Sequence, residues 1–219
     1  MPGVRVVISD FGGVLTNPLE EAFLAYQEES GIALAELGAA MYAISEEIGE
    51  NPLYKLEKGE MSEPDFERVM EDQLRKQLGE DTEFVDFSEF YFSQLHPNQP
   101  FLDFLFEYKA GGGRLALLTN NVKEWEPRWR AMLPIDELFE TITDSGFEGT
   151  RKPETRIFEI TYERIVALPG LEGVQREECV LVDDIELNCD AAREFGFQAV
   201  QYRGECADVV GELRPLLVV

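Results

Sequence analysis

The chain's 219 residues suffice for one large domain, or for a core carrying an insertion, with a sizeable buried interior. Apolar residues at 44% and charged residues at 29% are the proportions of a folded globular protein, which excludes a chain that is mainly disordered or collagenous. With 44 Asp and Glu against 19 Lys and Arg the formal charge is −25, which argues against nucleic acid or an anionic membrane as partner; an anionic substrate must be held by positive charge placed locally.

No run approaches the length of a bilayer span, and the opening Met1-Pro2-Gly3-Val4-Arg5 does not lead into a long apolar segment with a cleavage site, so a cytoplasmic protein is expected. A strand rich in β-branched side chains is predicted over residues 4–8, with Ser9-Asp10-Phe11-Gly12-Gly13 as the loop at its carboxyl end. Residues 17–92 contain no β-rich run and three or four helical patterns. Asn17-Pro18 starts one helix, with Leu19, Phe23 and Tyr26 at helical spacing before Gly31. Ser62-Glu63-Pro64-Asp65 opens another, whose Phe66, Val69, Met70 and Leu74 share a face before Gly79. The methionines and aromatic residues here read as the insert's own core rather than as a cofactor box.

From residue 93 onward, strands and helices alternate. Strands are predicted over residues 114–118, 139–143, 179–182 and 198–202, and helices over 101–109, 153–166 and 188–195. Gly111-Gly112-Gly113 precedes a strand, so it turns a helix into the sheet; a phosphate cradle would follow one. The pattern predicts an α/β fold: a Rossmann-like, doubly wound parallel sheet formed by residues 1–16 and 93–219, with an all-helical cap over 17–92. In such a sheet a ligand sits beyond the carboxyl ends of the strands, where Asp10, Thr119 and Asp183-Asp184 converge.

Clustered carboxylates repel one another unless a cation neutralises them, and a hard divalent ion with oxygen ligands, magnesium first, is the natural solution. Such an ion can bridge to a phosphoryl oxygen while a carboxylate oxygen attacks phosphorus. The Thr119 hydroxyl, a neighbouring backbone N–H and the Lys152 ammonium would hold the remaining oxygens. Cys179, Cys189 and Cys206 are odd in number and lack CxxC spacing, so neither a disulfide framework nor a zinc site is suggested. His96 is the only histidine, which removes any His-rich metal site and makes it a poor candidate for a catalytic base. Trp125 and Trp129, one helical turn apart, suggest packing or an interface.

Asp10-Phe11-Gly12-Gly13-Val14-Leu15, Thr119-Asn120, Lys152-Pro153 and Asp183-Asp184-Ile185-Glu186-Leu187-Asn188 resemble, in order, the four motifs of the haloacid dehalogenase-like (HAD) hydrolase superfamily, and the match runs almost end to end. The resemblance is closest to the branch that includes sugar phosphatases and the phosphatase domain of soluble epoxide hydrolases. It implies a helical cap over a Rossmann-like core, and a magnesium-dependent phosphoric monoester hydrolase working through an aspartyl-phosphate on a small phosphorylated metabolite, as monomer or homodimer. Carried over by position, Asp10 is the nucleophile, with Asp10, the Gly12 carbonyl and Asp184 as metal ligands. Thr119 and Asn120 match the phosphate-binding motif, and Lys152 steadies nucleophile and phosphate. Asp183 acts through water or Lys152. Gly13 and Asn188 join the substrate-binding set, Asn188 by ordering the fourth loop.

One position departs from the pattern. Family phosphatases usually carry a second aspartate two residues after the nucleophile, and here that residue is Gly12, which has no proton to give a leaving oxygen. Activity is therefore expected on esters with stable leaving groups, such as aryl phosphates or sugar 1-phosphates, unless Glu20 or Glu21 supplies the proton. Two alternatives stand beside this reading. A 2-haloacid dehalogenase also lacks the second acid but does not require the Asp183-Asp184 pair, and a binding module could recognise a phosphorylated ligand without useful turnover.

Overall fold

The computed structural model describes residues 3–84 and 87–218. Five strands, β1 (Val6–Ser9), β2 (Arg114–Thr119), β3 (Thr141–Asp144), β4 (Cys179–Asp183) and β5 (Gln198–Gln201), form one parallel sheet in the order β3-β2-β1-β4-β5. The three central strands, β2, β1 and β4, are short apolar runs because both faces of the sheet are covered there, as a parallel sheet requires. Alternate side chains feed two separate cores. Val7, Leu115, Leu117 and Val180 face one core with Phe101 and Leu105; Val6, Ile8, Ala116 and Leu181 face the other with Ile157, Phe158 and Ala192.

Between β1 and β2 the chain forms α1 (Leu19–Ser30), α2 (Leu34–Ile48), α3 (Pro52–Glu57), α4 (Glu63–Leu78), α5 (Phe87–Gln94) and α6 (Gln99–Ala110). Five helices thus precede α6 where three or four were expected. The six-residue α3, started by Asn51 capping the Leu53 N–H, is too short to show a periodicity, and α2 begins at Ala33 with no side-chain cap. After β2 come α7 (Glu126–Met132), α8 (Ile135–Leu138), α9 (Ser145–Glu148), α10 (Thr155–Val166), α11 (Glu186–Phe195) and α12 (Cys206–Leu213).

Two features fix the α1–α5 segment relative to the sheet. Its two junctions lie side by side: Thr16 bridges Pro97, the Asn17 N–H donates to the His96 carbonyl at 3.0 Å, and the His96 N–H donates to Asn17 Oδ1 at 2.7 Å. His96 itself is exposed and serves there through its backbone. At the other end Arg151, in the loop before α10, pairs with Glu57 of α3 at 2.6 Å, and the Trp125 indole N–H donates to Glu63 of α4 at 2.6 Å. The insert's interior is aromatic, with Tyr26 set edge-on to Phe84, Phe87 and Phe90.

Candidate active site

Strand register assembles the site. Ser9 lies beside Leu117 of β2 and Val182 of β4, so Asp10, Thr119 and Asp183 all leave the sheet at its carboxyl edge. The Lys152 side chain, with 0% of its surface exposed, reaches under this edge and has an oxygen for each of its three N–H bonds. Its Nζ lies 2.8 Å from Asp10 Oδ2, 2.6 Å from Asp183 Oδ2 and 3.1 Å from the Leu118 carbonyl.

Each remaining site residue has a definite task in this arrangement. Asp10 Oδ1 accepts from the Phe11 N–H at 2.7 Å, which sets the carboxylate's plane. Asp183 Oδ1 accepts from the Ile185 N–H and from Asn188 Nδ2, both at 2.9 Å, so with Lys152 on Oδ2 this carboxylate is held at both oxygens. Asn188 is 3% exposed and its Nδ2 is turned to Asp183, where it orders the loop. Both ends of the Asn120 amide are likewise used, Nδ2 donating to the Lys152 carbonyl at 2.9 Å and Oδ1 accepting from the Lys152 N–H at 2.8 Å. Asn120 therefore clamps the lysine segment. Thr119 ends β2, buried against this loop.

Gly13 has φ +71°, and a Cβ there would lie 2.4 Å from Asp184 Oδ2, so only glycine lets the first and fourth loops meet. A Cβ on Gly12 would meet Leu19 Cδ1 at 2.9 Å, so the first residue of α1 occupies the space beside Gly12.

Among the described residues, Asp10, Asp183 and Asp184 each offer a carboxylate oxygen within 4.8 Å of the others. Three carboxylates against one ammonium leave two negative charges in excess. Burial pushes Asp10 well above the usual carboxylate range, with Lys152 opposing and Asp183 and Asp184 adding to the rise. Burial, then Asp183, raises Asp184 to about 6. Burial works against the Lys152 charge, but Asp10 and Asp183 outweigh it and hold the ammonium above its ordinary range. A divalent cation is the complement that this donor set lacks, and oxygen ligands suit magnesium.

Beside the cluster lies a cavity of about 130 Å³ between the helical insert and the sheet. Phe11, Gly12, Thr119 and Asn120 form its sheet side; Phe23, Leu53, Phe66, Phe87 and Tyr91 are among those closing it from the insert. Trp125 also lines it, so one of the two tryptophans read as packing or an interface borders the site, while Trp129 is buried against Phe11 at 5.5 Å between ring centres. Glu20 and Glu21 are exposed, Glu21 accepting from Asn17, and neither lines the cavity. The insert carboxylate that does is Glu57, whose pKa burial raises against the opposing Arg151. Nothing in Lys55-Leu56-Glu57-Lys58 marks it in the sequence. The three thiols are free; burial pushes Cys179 and Cys189 up to about 12, which leaves them inert.

A parallel Rossmann-like sheet with an acid-rich carboxyl edge, one buried lysine and a helical insertion after the first strand defines a class of α/β hydrolases. Residues 4–196 match the haloacid dehalogenase-like hydrolase family, and the chain belongs to it. A curated relative is the mouse acyl-CoA dehydrogenase family member 10, 26% identical over 97% of this chain and 19% of its own length. Another is the glyceraldehyde 3-phosphate phosphatase of Pyrococcus abyssi, 32% identical over 42% of this chain and 36% of that protein. The chain thus spans well under half the length of the curated relatives it matches.

Solved structures share the fold. A predicted HAD-like hydrolase from Porphyromonas gingivalis matches with TM-score 0.67 at 23% identity, covering 96% of this chain and 98% of that one. A HAD family enzyme from Bacteroides thetaiotaomicron, solved with magnesium and inorganic phosphate, gives 0.63 at 21%, covering 92% and 96%. The L-2-haloacid dehalogenase of Xanthobacter autotrophicus gives 0.60 at 15%, covering 95% and 81%. Among the described residues no helix is long and apolar enough to cross a membrane.

Proposed function

We propose that this HAD-like hydrolase is a magnesium-dependent phosphatase of small phosphate esters, with residues 17–92 acting as a cap over a core formed by 1–16 and 93–219. The observation that carries the reading is the three-aspartate cluster around Lys152, two negative charges in excess and open to a divalent ion. The magnesium complex of the Bacteroides enzyme and the phosphatase from Pyrococcus support it.

Asp10, Asp184 and the Gly12 carbonyl would hold the ion, which supplies charge neutralisation for an approaching phosphoryl group. An Asp10 carboxylate oxygen attacks phosphorus, the bond to the leaving oxygen breaks with its electron pair, and an aspartyl-phosphate forms. Water then attacks the phosphorus and restores the Asp10 carboxylate. Lys152 aims Asp10 and favours its ionised form against burial; Asp183, held by Asn188 and Lys152, keeps the lysine in place. The Thr119 hydroxyl and a backbone N–H after β2 receive the phosphoryl oxygens.

Phosphate release from acetyl phosphate, a small substrate with a good leaving group, tests this directly. Turnover should require Mg2+, stop with a chelator and vanish in Asp10→Asn; equal release by that variant would contradict the reading.

The absence of an acid at Gly12 and the apolar cavity also suit a 2-haloacid dehalogenase, since halide leaves without a proton. Chloride release from 2-chloropropionate in the presence of a chelator would favour that chemistry. The excess charge of the aspartate cluster weighs against it, because a dehalogenase has no use for a divalent site.

A further inference from the structure

We propose that the cavity beside Gly12 receives the leaving group, and that the preferred substrates are phosphate monoesters of uncharged phenols. The inference rests on the phosphatase reading and narrows its substrate class. Three observations point the same way.

The first is the lining. Phe23, Phe66, Phe87, Tyr91 and Trp125 put aromatic rings around a space of about 130 Å³. A dry cavity of about 150 Å³ lined by apolar side chains accommodates one benzene ring.

The second is the scarcity of spare polar groups, the Tyr91 and Thr119 hydroxyls being the chief ones in the lining. The Asn120 amide bonds Lys152 through both its nitrogen and its oxygen, and Asn121 Oδ1 accepts from the Val122 N–H at 2.9 Å. The Glu57 carboxylate is paired with Arg151 at 2.6 Å. A sugar placed here would bury several hydroxyls without partners, whereas an aryl ring needs none. A negatively charged ring substituent would face Glu57 and the acidic cluster, so the ring should be uncharged.

The third is the missing acid. Leu19 fills the room beside Gly12, and the exposed Glu20 and Glu21 lie outside the cavity, so the leaving oxygen departs as an anion. A phenol, with pKa about 10, gives such an anion far more readily than an alkanol. The steps balance. Asp10 oxygen bonds to phosphorus as the phosphorus–aryl-oxygen bond breaks, and its electron pair stays on the phenolate, which takes a proton from solvent. Water adds to the aspartyl-phosphate, losing a proton to solvent, and releases inorganic phosphate.

The test compares kcat/KM with Mg2+ on the full chain for phenyl phosphate, cyclohexyl phosphate, glucose 1-phosphate and acetyl phosphate. Cyclohexyl phosphate keeps the ring's size but has a poor leaving group; glucose 1-phosphate has the hydroxyls. Phenyl phosphate should exceed cyclohexyl phosphate by at least about a hundredfold, the usual contribution of the general acid that an alkanol would need, and glucose 1-phosphate by at least about tenfold, the cost of a buried hydroxyl left without a partner. Leu53→Trp, which fills the cavity, should lower the ratio of phenyl to acetyl phosphate turnover about tenfold; if that variant does not fold, Met41→Phe, at another position lining the cavity, is read the same way. Hydrolysis of acetyl phosphate without a preference for phenyl phosphate, or an unmoved ratio in a folded cavity-filling variant, overturns the substrate class and leaves the phosphatase reading intact. Hydrolysis of none of the four overturns both.

Discussion

Lys152 neutralises one of three carboxylates that the fold gathers, and it does so from a position with no contact with water. Replacing it with methionine leaves Asp10 and Asp183 buried beside an apolar chain. The expected cost is about 3–5 kcal/mol at neutral pH, read by urea denaturation, together with loss of turnover. Gly13→Ala should cost about 1–2 kcal/mol for its left-handed backbone alone and should also displace Asp184, so Mg2+ should raise the melting midpoint of the wild type but not that of the variant. Asp144, at the end of β3, shows the opposite economy. Its Oδ1 caps the Gly146 N–H, its Oδ2 has no hydrogen-bond partner, and burial raises the acid to about 7. A carboxyl whose folded pKa is raised holds a proton that the unfolded chain has released, so the folded state loses stability as pH rises from the unfolded value through about 7. Asp144→Asn should remove that dependence. Its stability relative to wild type should climb by at most about 1.4 kcal/mol per pH unit between pH 4 and 7 and then level off.

At the scale of elements, the contact between α3 and the loop carrying Lys152 joins the helical insert to the site. Glu57 and Arg151 are 15% and 14% exposed, and the Arg151 guanidinium also lies 4.0 Å from the Tyr54 ring centre. Arg151→Ala strands Glu57 without its partner and should destabilise by about 3 kcal/mol or more; adding Glu57→Ala should recover part of the loss, which a double-mutant cycle measures as coupling. The sequence made the strands and the carboxyl-edge aspartates legible, because β-branched runs ending in Asp or Thr survive without any knowledge of packing. It also placed α1 and α4 from Asn17-Pro18 and Ser62-Glu63-Pro64. What stayed hidden depends on long-range approach. The bonds of the Asn120 and Asn188 amides to Lys152 and Asp183 show only once the loops are in place. Glu20 and Glu21 are close to Gly12 in the chain but point to solvent, while Glu57, far away in sequence, reaches the cavity. The cavity aromatics have the spacing of ordinary core residues, and only their arrangement around an open space distinguishes them.

Across the whole molecule a formal charge of −25 sets carboxylates against one another in the folded state. Raising NaCl from about 0.01 M to about 1 M shortens the screening length from about 30 Å to about 3 Å and should raise the unfolding midpoint; a fall would mean that specific ion pairs dominate the balance. The same charge repels anionic substrates at a distance, so the phosphatase reading requires a bound cation to offset the excess carboxylates at the carboxyl edge of the sheet. The account stands or falls on the covalent role of Asp10. In a rapid acid quench of a single turnover with phenyl phosphate and Mg2+, mass spectrometry of the peptide containing Asp10 should show a phosphoryl group that forms and then disappears as phosphate is released, and Asp10→Asn should show neither adduct nor release. Turnover without any adduct, retained in Asp10→Asn, would contradict it.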